Sequence, residues 1–177
     1  MERYRFILFL PADRIGSVSP VKGSIIRRAS KTAEVDIKFD DLDSGFILAS
    51  GLGVQEIYLF LTGNKNVEKN EGLGKIDEGF KLMEEEKYWL GHEFFEAFWK
   101  GTSGDRSLFF HDVVLVCVSM VHYQMGNIQN AERIFNHSIN RLSKFGLKEL
   151  ENVSFSYPIR LEIIHSLERK AKELSGS

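Results

Sequence analysis

Between Ser107 and Met125 the chain reads SLFFHDVVLVCVSMVHYQM. Wound as a helix, this run is apolar nearly all round, and such a helix has to be enclosed by other elements. His111, Asp112 and His122 interrupt it. It therefore reads as the central helix of a packed bundle and not as a membrane span. The opening MERYRFILFLPADR holds an apolar run too short for a signal segment or a span, so no membrane partner is expected.

The flanking sequence supplies the enclosure. KIDEGFKLMEEEKYW sets Ile76, Phe80 and Met83 at helical spacing, and HEFFEAFWK continues or restarts a helix that stops at GTSGD. IQNAERIFNHSINRLSKF places Ile128, Ala131, Ile134, Phe135, Ile139 and Leu142 on one stripe and ends at Gly146. Ser156 and Pro158 open a last helix, PIRLEIIHSLERKAKEL. A shift of forty residues lays Tyr88, Gly91 and Phe95 on Ile128, Ala131 and Phe135. That correspondence predicts tetratricopeptide-like helix hairpins with a small residue where each pair crosses closely.

Upstream the pattern changes. TGNKNVEKNEGLGKID, from Thr62 to Asp77, is rich in Gly, Asn and charge and has no apolar period, so it reads as a linker. The expected division is a small α/β unit over 1–62, a linker over 63–75 and a helical bundle over 76–177. YRFILFL, closed by Pro11, reads as a strand buried on both faces. AEVDIKF alternates, with Ala33, Val35, Ile37 and Phe39 on one face and Glu34, Asp36 and Lys38 on the other. It reads as a half-solvated strand near a sheet edge. QEIYLFLT is the third strand. Ser19 and Pro20 predict a helix start between the first two strands, and DDLDSGFILASGLG suits a second helix. The fold class expected is α+β: a β-α-β-type N-terminal unit followed by an all-α bundle.

A formal net charge of -2 argues against bulk attraction to nucleic acid or anionic membrane. One local exception runs from Arg14 to Lys31, where Arg14, Lys22, Arg27, Arg28 and Lys31 occur with no acid among them. A solvated face accounts for it. The alternative is a nucleic-acid contact through Arg27 and Arg28, although no aromatic residues interleave the basic ones for stacking. Cys117 is the single cysteine, so no internal disulfide can form. A buried structural thiol in a reducing cytoplasm is the reading that fits.

The residues that could carry chemistry lie in YWLGHEFFEAFW, Tyr88 to Trp99. At about 100° per residue, His92, Glu96 and Trp99 share one helix face, beside Tyr88 and Phe95, while Glu93 points to solvent. His111, Leu115, Val118 and His122 share a face of the central helix. Antiparallel pairing of the two helices would let His122 approach His92 and Glu96. Three readings follow. A satisfied polar-aromatic cluster would fix helix register in a non-catalytic binding or scaffold module, whose partner is another protein or a second copy. A metal-assisted hydrolase would use His92, Glu96 and His122 as ligands with an open position. A nucleic-acid-binding protein would use the basic stretch. Position 96 is Glu, so the His-Glu-x-x-His protease motif is absent, and no cofactor is required by the sequence. Tyr88 and Trp99 are the aromatic binding candidates, with a core role as the default.

The run GFKLMEEEKYWLGHEFFEAFW, followed by SLFFHDVVLVCVSMVHYQMGNIQNAERIF, resembles the domain-of-unknown-function family 309. The resemblance rests on His-Glu-x-x-Glu-x-x-Trp and on a second helix that ends in a histidine shortly before Gly-Asn. Here those positions are His92, Glu93, Glu96, Trp99, His122, Gly126 and Asn127, with Gly91 as the small residue before the first histidine. It covers about residues 76–142. It implies a small all-helical bundle and implies no activity.

Overall fold

The computed structural model describes residues 3–17, 23–62 and 76–176. The chain divides into two compact units, Met1–Glu71 and Gly72–Ser177. The expected linker over 63–75 and the helix start at Ser19 and Pro20 lie outside the described residues.

The first unit is a four-stranded sheet with one helix. Its strands are β1 (Arg3–Pro11), β2 (Ile25–Arg28), β3 (Thr32–Phe39) and β4 (Glu56–Thr62), and α1 (Leu42–Leu52) joins the last two. The order is β2-β3-β1-β4, and every neighbouring pair is antiparallel. The α+β class holds, and β3-α1-β4 is a β-α-β connection, because both strands run antiparallel to β1 and so parallel to each other on either side of it; the connection from β1 toward the second predicted strand differs. Ala12–Ser17 forms a 3-10 turn, and Ile25–Arg28 adds a strand absent from the sequence reading. The β-branched pair Ile25 and Ile26 suits a pleated surface. A tight turn, in which the Ala29 amide donates to the Thr32 carbonyl at 2.9 Å, folds β2 back on β3.

Adding β2 moves β3 from the expected edge into the sheet interior. Phe6 to Leu10 are at most 2% exposed, so β1 is buried on both faces as its apolar run requires. On one face Phe6, Leu8, Leu10, Val35 and Ile37 pack with Ala49 of α1. Asp41 caps α1 by accepting from the Ser44 amide at 2.8 Å. Gly45 faces the sheet, where a Cβ would collide with the Phe6 ring.

The other face corrects a second expectation. Glu34 and Asp36 are only 3% exposed, and Arg27 is 2% exposed. Arg27 sits opposite Glu34 in the β2–β3 register, which is the cross-strand placement that pairs opposite charges. Its guanidinium donates to Glu34, and to Asp36 at 3.0 Å. Arg5 donates twice to Asp36, at 2.9 and 2.6 Å. Burial pushes the Glu34 carboxyl above its usual range, and the Arg27 charge offsets this only in part. Burial also acts upward on Asp36, but bonds from Arg5 and Arg27 outweigh it and hold that carboxyl below its usual range.

The second unit contains α2 (Ile76–Glu84), α3 (Tyr88–Gly101), α4 (Gly104–Gln124), α5 (Ile128–Leu142) and α6 (Leu161–Ser175). By length and composition alone α4 could cross a membrane. In this unit it is the central element, packed by α3, α5 and α6. Phe109, Phe110, Val113, Val116, Cys117 and Met120 on α4 are fully buried. α3 runs antiparallel to α4: Trp99 lies against His111, Gly91 against Cys117, and Glu86 before α3 meets Gln124. Phe109 against Phe145 and Asp112 against Arg141 place α5 antiparallel to α4 in the same way.

The close helix crossing falls elsewhere than expected. At Gly91 a Cβ would meet Cys117 Sγ at 3.5 Å, an ordinary contact. At Gly79 on α2 it would meet the Phe94 and Phe95 rings of α3 at 2.5 and 2.6 Å. The forty-residue correspondence keeps Gly91 with Ala131 and Phe95 with Phe135 as buried pairs. It breaks at Tyr88, which is fully buried, and Ile128, which is 51% exposed.

Two outcomes test these assignments. Gly79→Ala is expected to destabilise by about 1–3 kcal/mol through overpacking, whereas Gly91→Ala gains up to about 1 kcal/mol of helix propensity. Urea melts showing the same sign for both variants would contradict the packing described. Arg27→Met strips the buried carboxylates of their shared cation and is expected to destabilise by about 3–5 kcal/mol. Without Arg27 the Glu34 carboxyl, already raised by burial, titrates higher still in the folded chain, while Asp36 keeps its two bonds from Arg5, so the folded state gains a proton on Glu34 as pH falls. The deficit should therefore be largest near about pH 7 and shrink toward about pH 4.5. A deficit independent of pH would argue against the ion cluster.

Candidate functional site

The antiparallel pairing of α3 and α4 assigns each motif residue a level along the bundle. Trp99 and His111 share the level near the α3–α4 turn, with ring centroids 4.9 Å apart in an edge-on arrangement. Each residue of a helix advances about 1.5 Å. His92 then lies level with Cys117 and Val118, and His122 lies level with the start of α3. Glu96 is about two turns from the level of His122. The antiparallel arrangement expected from the sequence is present, but its register separates the three candidate ligands. Among the described residues no three His, Cys, Asp or Glu side chains converge closely enough to hold a metal ion.

Each candidate has local company. Glu96 receives Lys100 Nζ at 2.8 Å, one turn along the same exposed flank. His92 Nδ1 lies 3.5 Å from Glu93 Oε1, too long for a hydrogen bond, and this buried nitrogen has no hydrogen-bond partner. The His92 side chain is 24% exposed. Its other ring atoms reach the bundle surface, and on α4 His111, Leu115, Val118 and His122 are likewise half-buried.

Among the described residues of the helical unit, two polar clusters join elements at the ends of α3 and α4, and sequence reasoning assembled neither. The first ties three helices. Asp112 is 1% exposed; its Oδ2 accepts from Arg141 Nε at 3.0 Å, and its Oδ1 lies 3.2 Å from His111 Nδ1. Trp99 of α3 packs on that histidine. An aspartate inside FFHDVVLV was the available signal, because a carboxylate on an apolar helix needs a cation or a donor.

The second place is the corner between α2 and α3. Glu86 has φ 58°, a left-handed conformation at the end of α2 that a side chain rarely adopts. Its carbonyl accepts from Gln124 Nε2 at 2.9 Å, and its carboxylate accepts from Tyr157 Oη at 2.8 Å. Gln124 Nε2 also donates to Tyr157 Oη at 3.1 Å. Tyr88 is fully buried beneath this corner, and its Oη accepts from the Ile159 amide at 3.2 Å. Tyr157 stacks on Tyr123 with centroids 4.3 Å apart, and Phe155 packs edge-on against Phe135. The segment around Phe155 to Ile159 thus ties the start of α3 and the end of α4 to the middle of α5. Burial drives the Tyr88 hydroxyl far above its usual range. It does the same for Tyr157, where the Glu86 charge adds to it. Both phenols are neutral, Tyr157 donating to Glu86 and Tyr88 accepting from Ile159. No sequence signal pointed to Tyr157, because its partner Glu86 lies 71 residues away.

The basic stretch is dispersed. Arg14, Arg28 and Lys31 are exposed, Lys22 lies outside the described residues, and Arg27 is buried among carboxylates. The guanidinium expected to meet phosphate is therefore taken up inside the first unit. Cys117 is fully buried, and burial drives its thiol far above the usual range, so it is no nucleophile.

No curated protein and no solved structure matches the chain. Residues 76–134, which run from the start of α2 through α3 and α4 into the first turns of α5, match the family model described as a domain of unknown function (DUF309), within the segment where the resemblance was expected.

Proposed function

We propose that the chain is a non-catalytic binding module, with the helical unit as its rigid frame. One observation carries this reading: the aromatic side chains Tyr88 and Trp99 of the motif region, and Asp112 on the neighbouring helix, join helices to one another. Trp99 packs on His111, Asp112 holds Arg141, and Tyr88 holds the Ile159 amide. A hydrolytic site needs a nucleophile or metal water, a base and an oxyanion donor around one reacting atom. The levels assigned to His92, Glu96 and His122 supply no such point. The pairs α3–α4 and α4–α5 serve as the tetratricopeptide-like hairpins of this reading, with the α4 strip from His111 to His122 between their outer helices. A protein is the partner class that suits a frame of this kind. A lone buried thiol suits the reducing cytoplasm as the place where it works.

Stability and activity separate this reading from a metalloenzyme. Asp112→Asn is expected to destabilise by about 1.5–3 kcal/mol, since a charge-assisted bond is lost in the core. His92→Ala should cost under about 1 kcal/mol, as a partly exposed side chain without a strong partner does. Elemental mass spectrometry of the untagged, chelator-free protein should find no metal that depends on His92. Screens with ester, phosphoester and peptide substrates should find no turnover. One equivalent of metal in the wild type that is lost in His92→Ala, or turnover lost in the same variant, would overturn the proposal.

A further inference from the structure

The two edges of the sheet in the first unit are built differently. In an antiparallel ladder, successive residues turn their backbone N–H and C=O alternately to one neighbour and the other. The Ala12 amide donates to the Lys31 carbonyl at 3.0 Å, in register with the β1–β3 ladder, so even-numbered residues of β1 bond to β3. Odd-numbered ones bond to β4, on whose side the Phe9 carbonyl accepts from the Gln55 amide at 2.8 Å. The β4 partners of Arg5, Ile7 and Phe9 are Phe60, Tyr58 and Glu56. These turn their backbone groups inward, while Ile57 and Leu59 turn theirs outward. β4 is the last strand of the order, and among the described residues no further strand meets it. Sheet edges are ordinarily blunted by being short, charged, bulged or proline-bearing. β2, at the other edge, is four residues long and ends on exposed Arg28. β4 has seven residues and none of Lys, Arg or Pro. It follows β1 pair by pair from Arg3 against Thr62 to Phe9 against Glu56. Its outward-turned Ile57 and Leu59 are 41% and 43% exposed. Such an edge is a template for another strand.

The sequence of β4 selects that strand. EIYLFLT reads alike in both directions about Leu59. Aromatic Tyr58 and Phe60 flank it, aliphatic Ile57 and Leu61 come next, and polar Glu56 and Thr62 close the ends. Laid antiparallel to itself about Leu59, the strand sets each class of residue opposite its own kind, which is how cross-strand pairs contribute most. An unrelated peptide would call for no such symmetry in β4. The outward backbone groups of Leu59 fall opposite those of the second Leu59, so the ladder bonds continue. Positions of one parity meet, so the face that carries Ile57 and Leu59 runs on across the junction. Glu56 is the one charged residue of the strand, and its two copies fall at opposite ends, about 20 Å apart. The geometry points to a two-fold dimer of this chain, in which β4 pairs with β4 of a second copy about Leu59 and joins the two sheets into one. This inference rests on the binding-module reading and names the partner as a second copy.

The test is sedimentation velocity on the full chain over a range of concentrations. The wild type should show a reversible monomer–dimer equilibrium in the micromolar range, as a short ladder implies. Leu59→Lys and Leu59→Glu, at an exposed position, each set like charges face to face on the two-fold axis and should raise the dissociation constant at least tenfold. Mixed in equal amounts, the two variants should pair again, because Lys then faces Glu. A wild type that stays monomeric up to about 1 mM overturns the inference. So does a dimer that both variants keep, or a mixture that fails to pair. Species that grow beyond the dimer with concentration also overturn it, since a two-fold contact closes on itself. Should the charged variants unfold, Leu59→Cys decides. Opposed Cα atoms about 5.5 Å apart are within disulfide reach, and Cys117 is fully buried. Mild oxidant should therefore give a dimer linked through position 59, and its absence overturns the inference. The binding-module reading fails separately, through metal or turnover that depends on His92, whatever the oligomeric state.

Discussion

A helix that is apolar nearly all round has to be enclosed on most of its flanks, and α4 imposes that demand on the whole helical unit. Its apolar residues are met by α3 on one side, α5 on another, and α6. Each full turn of α4 that is buried removes several large side chains from water, at about 1.5–3 kcal/mol apiece. The polar groups carried on such a helix are then constrained more tightly than the apolar ones. Asp112 and Gln124 have no solvent to fall back on, so their partners Arg141, Glu86 and Tyr157 determine how α5 and the segment 155–159 sit. The family-matched segment is built around that helix.

The first unit solves a comparable problem with fewer elements. Its sheet has one apolar face under α1 and one face that carries Arg5, Arg27, Glu34 and Asp36. Buried ions of this kind contribute little net stability, because desolvation offsets their attraction. They do make strand register strict: a slip of one residue would send the carboxylates to the apolar side and Val35 and Ile37 to the charged one. Each unit also uses a helical glycine to seat a phenylalanine, Gly45 beneath Phe6 and Gly79 against Phe94 and Phe95. Large rings then come nearer to a helix axis than any side chain there would permit.

Much of this was legible in the residues. The apolar run of β1, the stripe of α5 and the all-round apolarity of α4 are local patterns, set by periods of two and 3.6 residues, and they fall where expected. β2 was missed because four residues give too short a window for a period, and because IIRR sits in a basic stretch that resembles a solvated face. Gly91 drew attention as part of the motif, while Gly79, whose surroundings demand glycine, carries no mark beyond helical spacing. The motif did single out residues on one face of α3. The conjunction of His92, Glu96 and His122 failed because facing residues and level residues are different properties of a helix pair. The first follows from periodicity along one chain, and the second from the axial offset between two.

The sequence by itself determined most of the helices and strands, the apolar stripe of each, and that the long run at Ser107 to Met125 lies at the centre of a bundle. These follow from local sterics and from the hydrophobic effect acting on a periodic pattern. Only the tertiary structure decided that Arg27 belongs to Glu34 and Asp36, that Glu86 meets Tyr157 and Gln124, and that α1 leaves Ile57 and Leu59 uncovered. Those outcomes depend on register and axial offset. These are long-range quantities, set by how many buried groups can be satisfied at once, and no window along the chain contains them.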